Sequence, residues 1–137
     1  MKQLFIILFL TLGAKITHAQ TTVIAAAIRS AYEGTWQYKT KFQSNTVRVQ
    51  FEPGKDYAIF TDIGSGEAPA KTFKAVLKGK LLIMPAVRNQ NDDIELEIIG
   101  RTLHLRTTQA VWDNNGNRIK PNNPQIDQRI FKRIKSP

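Results

Sequence analysis

Through most of the chain after Gly34, side-chain character changes with every residue. Trp36, Tyr38 and Thr40 alternate with Thr35, Gln37, Lys39 and Lys41, and Val47, Val49 and Phe51 alternate with Thr46, Arg48, Gln50 and Glu52. A period of two puts successive side chains on opposite faces of an extended strand, so each run offers one face to a core and one to water. A helix, with 3.6 residues per turn, cannot use that pattern. The chain is therefore expected to be all-β.

The turns divide these runs. Pro53-Gly54 separates the strand ending at Phe51 from a third, Asp56 to Asp62, as a tight turn requires. Gly64 to Ala70 is small and irregular and reads as a loop. Gly79-Lys80 lies between Thr72–Lys78 and Leu81–Val87, and Gly100-Arg101 lies between Ile99 and Thr102. Both pairs have the chemistry of a two-residue type II′ hairpin, in which glycine takes the first central position. The Gly100 hairpin predicts its own register. Ile98 faces Leu103 and Leu96 faces Leu105 on one side, while Glu97 faces His104 and Glu95 faces Arg106 on the other. Asn115-Gly116 predicts a further hairpin, with Trp112 opposite Ile119 and Asp113 opposite Arg118. A last strand is expected from about Gln128 to Ile134. Counting in twos from Leu103 and Leu105 brings Val111 inward, so Trp112 faces the core only if a β-bulge lies between Thr107 and Ala110. The bulge is the expected solution.

The N-terminus reads differently. Lys2, the apolar run Leu4 to Leu12 and Thr17-His18-Ala19 follow the order of a secretory signal, with cleavage expected after Ala19. That run is too short to span a bilayer, which takes about 20 residues. The chain has no cysteine, which excludes disulfides and a lipid anchor on cysteine. Export without disulfides fits a bacterial periplasm or exterior, so the expected location is secreted or periplasmic. Residues 20–137 then form a single domain with one core. Ile24, Ala27, Ile28 and Ala31 lie at helical spacing, predicting one short helix over Thr21 to Ala31, capped by Thr22 and stopped at Gly34. Loss of Lys2 and Lys15 with the signal lowers the formal charge from +9 to +7. A balance of that sign favours anionic surfaces in general.

The resulting expectation is an antiparallel up-and-down meander of about eight strands with one N-terminal helix. Such a meander tends to close, because closure removes exposed edges. Gly34-Thr35-Trp36 at the start of the first strand, the helical lead-in, the series of hairpins and a late basic residue together resemble the lipocalin-like, or calycin, barrels. The resemblance implies that Trp36 closes one end of the barrel under an arginine from the last strand. That arginine is Arg133 by position, with Arg129 the other candidate, and Gly34 provides a close approach or a positive φ. The chain departs from the family in its shortness, in lacking the middle Thr-Asp-Tyr motif, and in having no long helix after the last strand.

Barrels of this size either fill with side chains or hold one small ligand. The inward candidates are Tyr38, Val49, Phe51, Tyr57, Ile59, Phe73, Leu77, Ile83, Leu96 and Leu105, and a filled interior is as compatible with them as a hollow one. Two roles follow. In the first, the protein is a non-enzymatic binder of a small apolar ligand contacted by Tyr38, Phe51, Tyr57 and Trp112. In the second, a basic outer surface of Lys39, Lys41, Arg129, Lys132 and Lys135 meets an anionic polymer, polysaccharide or envelope component. Nucleic acid is not expected as partner of an exported chain, and oligomeric state is left open. Catalytic chemistry finds little support. His104 is the histidine left after processing and is expected on the wet face, and Glu95 and Glu97 have cationic neighbours that lower rather than raise a carboxyl pKa. Asp113 to Asn117 imitates the start of a calcium loop, but Arg118 stands where glycine is needed. No metal or cofactor is expected.

Overall fold

The computed structural model describes residues 23–135. The signal expected at residues 1–19 and the cap expected at Thr22 lie outside the described residues. The one helix among them, α1, spans Ala26–Tyr32, with Ala25 as an N-cap that offers no side-chain hydrogen bond. Val23 to Ala25 are not helical, so the helix is shorter than its apolar spacing predicted. A helix this short depends on tertiary packing. Its inward residues are Ile28, packed against the core, and the buried Tyr32, and Ile24 in the extended lead-in is buried beside them. Glu33 is extended, and its N–H donates to the Arg29 carbonyl where the helix ends.

Eight antiparallel strands close into a barrel in the order β1 (Gly34–Lys39), β2 (Ser44–Phe51), β3 (Tyr57–Gly64), β4 (Lys71–Lys78), β5 (Leu81–Met84), β6 (Asp93–Ile99), β7 (Thr102–Thr108) and β10 (Ile126–Lys135), which returns to pair with β1. A separate hairpin, β8 (Val111–Trp112) with β9 (Arg118–Ile119), is inserted between β7 and β10. The all-β meander is thus closed, as the edge argument required, and its form is compatible with a lipocalin-like fold. The Gly79 and Gly100 turns have φ of 63° and 61°, with Lys80 and Arg101 at negative φ, the II′ pattern. Every pair expected across the Gly100 turn is found, from Ile99↔Thr102 to Glu95↔Arg106.

Three readings of side-chain direction are corrected. In β3, Ala58 and Phe60 face the core, not Tyr57 and Ile59, because Phe51 pairs with Ala58 and Val49 with Phe60. The small Ala58 and Ala75, paired across β3 and β4, leave room inside for the bulkier residues beside them. In β5, Leu82 and Met84 face in rather than Ile83, since the two-residue Gly79 turn sets Leu77 opposite Leu82. The expected bulge before Trp112 does not occur. The chain leaves the barrel instead, with the Gln109 N–H bonded to Gln125 O and the Ala110 N–H bonded to Asp92 Oδ1.

The β8–β9 register is also shifted by one, pairing Val111 with Ile119 and Trp112 with Arg118. Only Gly116 in this turn takes a positive φ, 84°, so the connection is a three-residue loop ending in a left-handed glycine rather than the two-residue Asn-Gly form. Asp113 replaces the expected rung, accepting the Asn117 N–H at Oδ1 (2.8 Å). That bond to the backbone holds its carboxyl below the usual range.

The lumen is apolar. Val47, Val49, Phe60, Leu82, Leu96, Leu103 and Phe131 are almost wholly buried, while Gln50, Lys74, Lys132 and others of opposite parity are exposed. The outer face is mixed, with Val76, Ile126, Ile130 and Ile134 exposed beside these polar residues. No helix among the described residues is long and apolar enough to cross a membrane.

Candidate functional site

The two ends of the barrel differ. At the closed end the Cβ that Gly34 lacks would lie 2.6 Å from the Lys135 carbonyl, and Gly34 has φ of 139°. Both expected reasons for glycine therefore apply. Trp36 pairs with Arg133 across β1 and β10, and the guanidinium lies over the indole, 4.4 Å from its centroid. Trp36 Nε1 donates to the Tyr32 carbonyl (2.9 Å), and Arg133 Nη2 donates to the carbonyls of Ser30 (3.2 Å) and Ala31 (2.6 Å). The helix end, the indole and the arginine thus form one plug. Tyr32 completes it, its single hydroxyl proton shared between the Lys80 and Leu96 carbonyls, and burial raises its pKa.

The open end holds a cup of about 290 Å³, at the lower limit for small-molecule sites. Phe60, Phe73 and Phe131, with Ile94 and Leu105, supply its apolar side, and Asn45, Asp62, Lys71, Asp92, Asp127 and Arg129 its polar side. Phe60 and Phe73 pack at 6.3 Å and Phe131 packs on Tyr38 at 5.9 Å, which fixes this aromatic surface. Most polar groups already have partners. Asp62 accepts the Gly64 N–H, Asp92 accepts the Ala110 N–H, and Arg129 pairs with Asp127 at 3.0 Å. Asn45 Oδ1 is a buried acceptor without a hydrogen-bond partner among the described residues. Leaving an acceptor unpaired costs about 1–3 kcal/mol. A donor bound in the cup would reach it only if the Asn45 side chain turned toward the opening.

The four residues expected to hold a ligand are not brought together. Tyr38 lies toward the mouth beside Phe131. Phe51 is buried toward the closed end, with Arg29 5.9 Å from its ring. Tyr57 is on the outer face with the Lys74 ammonium 4.7 Å above its ring, and Trp112 sits in the hairpin outside the barrel. Of the basic set, Lys39, Lys41, Lys132 and Lys135 are exposed. Arg129 instead points into the cup, 5.9 Å from the Tyr38 ring, because it shares the inward parity of Phe131 and Arg133. His104 is on the outer face, bonded to Thr102 and Gln128, and Arg106 bridges both Glu95 and Glu97.

Asn45, Asp62, Lys71 and Asp127 belong to no motif. Their signal is parity, since each is a polar residue two positions from a buried or partly buried apolar one or from an inward arginine, at strand ends that meet at one rim. No family model, curated protein or solved structure matches the chain.

Proposed function

We propose that this chain is an exported, lipocalin-like binding protein that holds a small amphipathic molecule in the open-end cup and does no chemistry on it. The observation that carries this reading is the unpaired Asn45 Oδ1 beside a surface of three phenylalanines. A wholly apolar ligand would leave that oxygen as it is, so the occupant is a compact apolar or aromatic body bearing an N–H or O–H donor. The groups around it have the function of holding rather than reacting, since the acids of the rim are tied to backbone N–H groups or to Arg129.

Fluorescence titration with 1-naphthylamine, which has an aromatic body and an amine donor, tests the reading. Saturable binding that weakens at least about tenfold in Asn45→Leu, equivalent to about 1.4 kcal/mol, supports it. Binding that ignores both Asn45→Leu and Phe73→Ala contradicts it. A second reading, contact with an anionic envelope component, draws on Lys39 and Lys132, exposed on the neighbouring strands β1 and β10. Salt-sensitive retention on heparin that is lost in Lys39→Glu/Lys132→Glu, with no binding of the naphthylamine, would favour it.

A further inference from the structure

The closed end carries a second concavity that the cup does not explain. β7 begins at Thr102, which pairs with Lys132, whereas β10 runs on to Lys135 and pairs there with β1. The offset leaves a step beside the Gly100-Arg101 turn. A groove of about 580 Å³ occupies it, bounded by Ala31 and Ile98 on its apolar side, with the buried Trp36 beneath them, and by Arg101, Lys132 and Arg133 on its polar side.

The three cations come from two separate chain segments and share the groove with no carboxylate among its lining residues. None of them makes an ion pair among the described residues. Like charges gathered on a low-dielectric wall repel one another and concentrate a positive field where an anion would sit. Arg133 is also pre-organised, since the carbonyls of Ser30 and Ala31 and the Trp36 ring fix its plane. Fixed donors lose little freedom when a ligand arrives. Arg101 and Lys132 are exposed and supply the adjustable part of the site.

A bare inorganic anion would answer the charge but leave the Ala31 and Ile98 surface wet. A neutral apolar molecule would do the reverse. We propose that this groove binds single molecules of an anionic amphiphile, a carboxylate or phosphate head on an aliphatic body, with the head among Arg101, Lys132 and Arg133 and the body against Ala31 and Ile98. The site lies outside the lumen and stands independently of the open-end cup.

The test is an amide-resonance titration with decanoate and with decyl phosphate, each below its micellar concentration, compared with decanol and inorganic phosphate. Trp112→Phe serves as background, so that fluorescence reports Trp36 alone. The site predicts saturable shifts centred on Gly100, Arg101 and Lys132, a change in Trp36 emission, and affinity for both anionic amphiphiles at least about tenfold above decanol and phosphate. Arg101→Ala/Lys132→Ala, which changes two exposed side chains, should weaken binding at least about tenfold and flatten its salt dependence. Equal affinity for decanol, an unaffected double variant, or binding to anionic vesicles without binding of the monomers would overturn the proposal. Shifts centred on Asn45, Phe73 and Arg129 would also overturn it, while leaving the cup in place.

Discussion

The Arg133 guanidinium carbon lies 4.4 Å from the centroid of the Trp36 ring, and the same side chain donates to the last carbonyls of α1. One residue from the final strand thereby fastens the helix to the first strand and seals the barrel between them.

Arg133→Ala should therefore destabilise the protein by about 2–5 kcal/mol. A cation over an aromatic face contributes about 0.5–2 kcal/mol, and hydrogen bonds from a charged group contribute about 1.5–3 kcal/mol. Arg133→Lys should fall between, because an ammonium keeps the charge but not the planar fork that reaches both ring and carbonyls. Urea unfolding of the three proteins measures the order directly.

Gly34→Ala is expected to cost about 2 kcal/mol or more. A Cβ there would meet the Lys135 backbone oxygen at 2.6 Å, and φ of 139° is already unfavourable for a residue with a side chain. Since the obstacle is backbone, relief requires β10 to move from β1. Hydrogen exchange at β1 and at the C-terminal part of β10 should rise together, and an unchanged midpoint with unchanged protection would refute the close approach.

Alkaline pH should weaken the closed end. Burial raises the pKa of Tyr32 above the ordinary tyrosine value near 10, so the folded state keeps a proton that the unfolded chain releases. Stability is then fully present below about pH 10 and is lost as pH rises toward and through the folded-state pKa. Tyr32→Phe should lower stability at neutral pH, because the Lys80 and Leu96 carbonyls lose their donor. It should also reduce the alkaline slope relative to wild type. Denaturation midpoints between pH 8 and 11 compare the two.

How much of this was legible in the sequence depends on what each segment had to decide. The Gly100 hairpin was readable because turn type, apolar pairing and charge pairing agree on one register, and the Gly34, Trp36 and Arg133 plug because Gly34-Thr35-Trp36 resembles the opening of the lipocalin-like barrels, a resemblance that implies an arginine of the last strand over the indole. β5 was ambiguous by composition, since Leu81, Leu82, Ile83 and Met84 are all apolar and alternation is silent there. The Gly79 turn nevertheless fixes Leu77 opposite Leu82. β3 follows a longer connection that does not transmit parity, so Tyr57 and Ile59 competed with Ala58 and Phe60 for the core. Trp112 misled because strand counting assumes that the chain stays in the sheet, whereas Gln109 and Ala110 take it out. Tyr32 was readable in the Ile24, Ile28, Tyr32 spacing but hidden by the alanines between them. The cup was the least visible, because its rim is assembled from ends of strands far apart in sequence.

The most direct test of the open-end cup is a paired measurement on Asn45→Leu, a substitution of similar size that removes the buried unpaired oxygen. Relief of that unmet hydrogen bond should make the free protein more stable, by about 1 kcal/mol, while 1-naphthylamine binding falls at least about tenfold. Opposite signs in the two readings are the mark of a group kept for a ligand. A variant that is less stable than wild type and binds the probe unchanged would contradict the account.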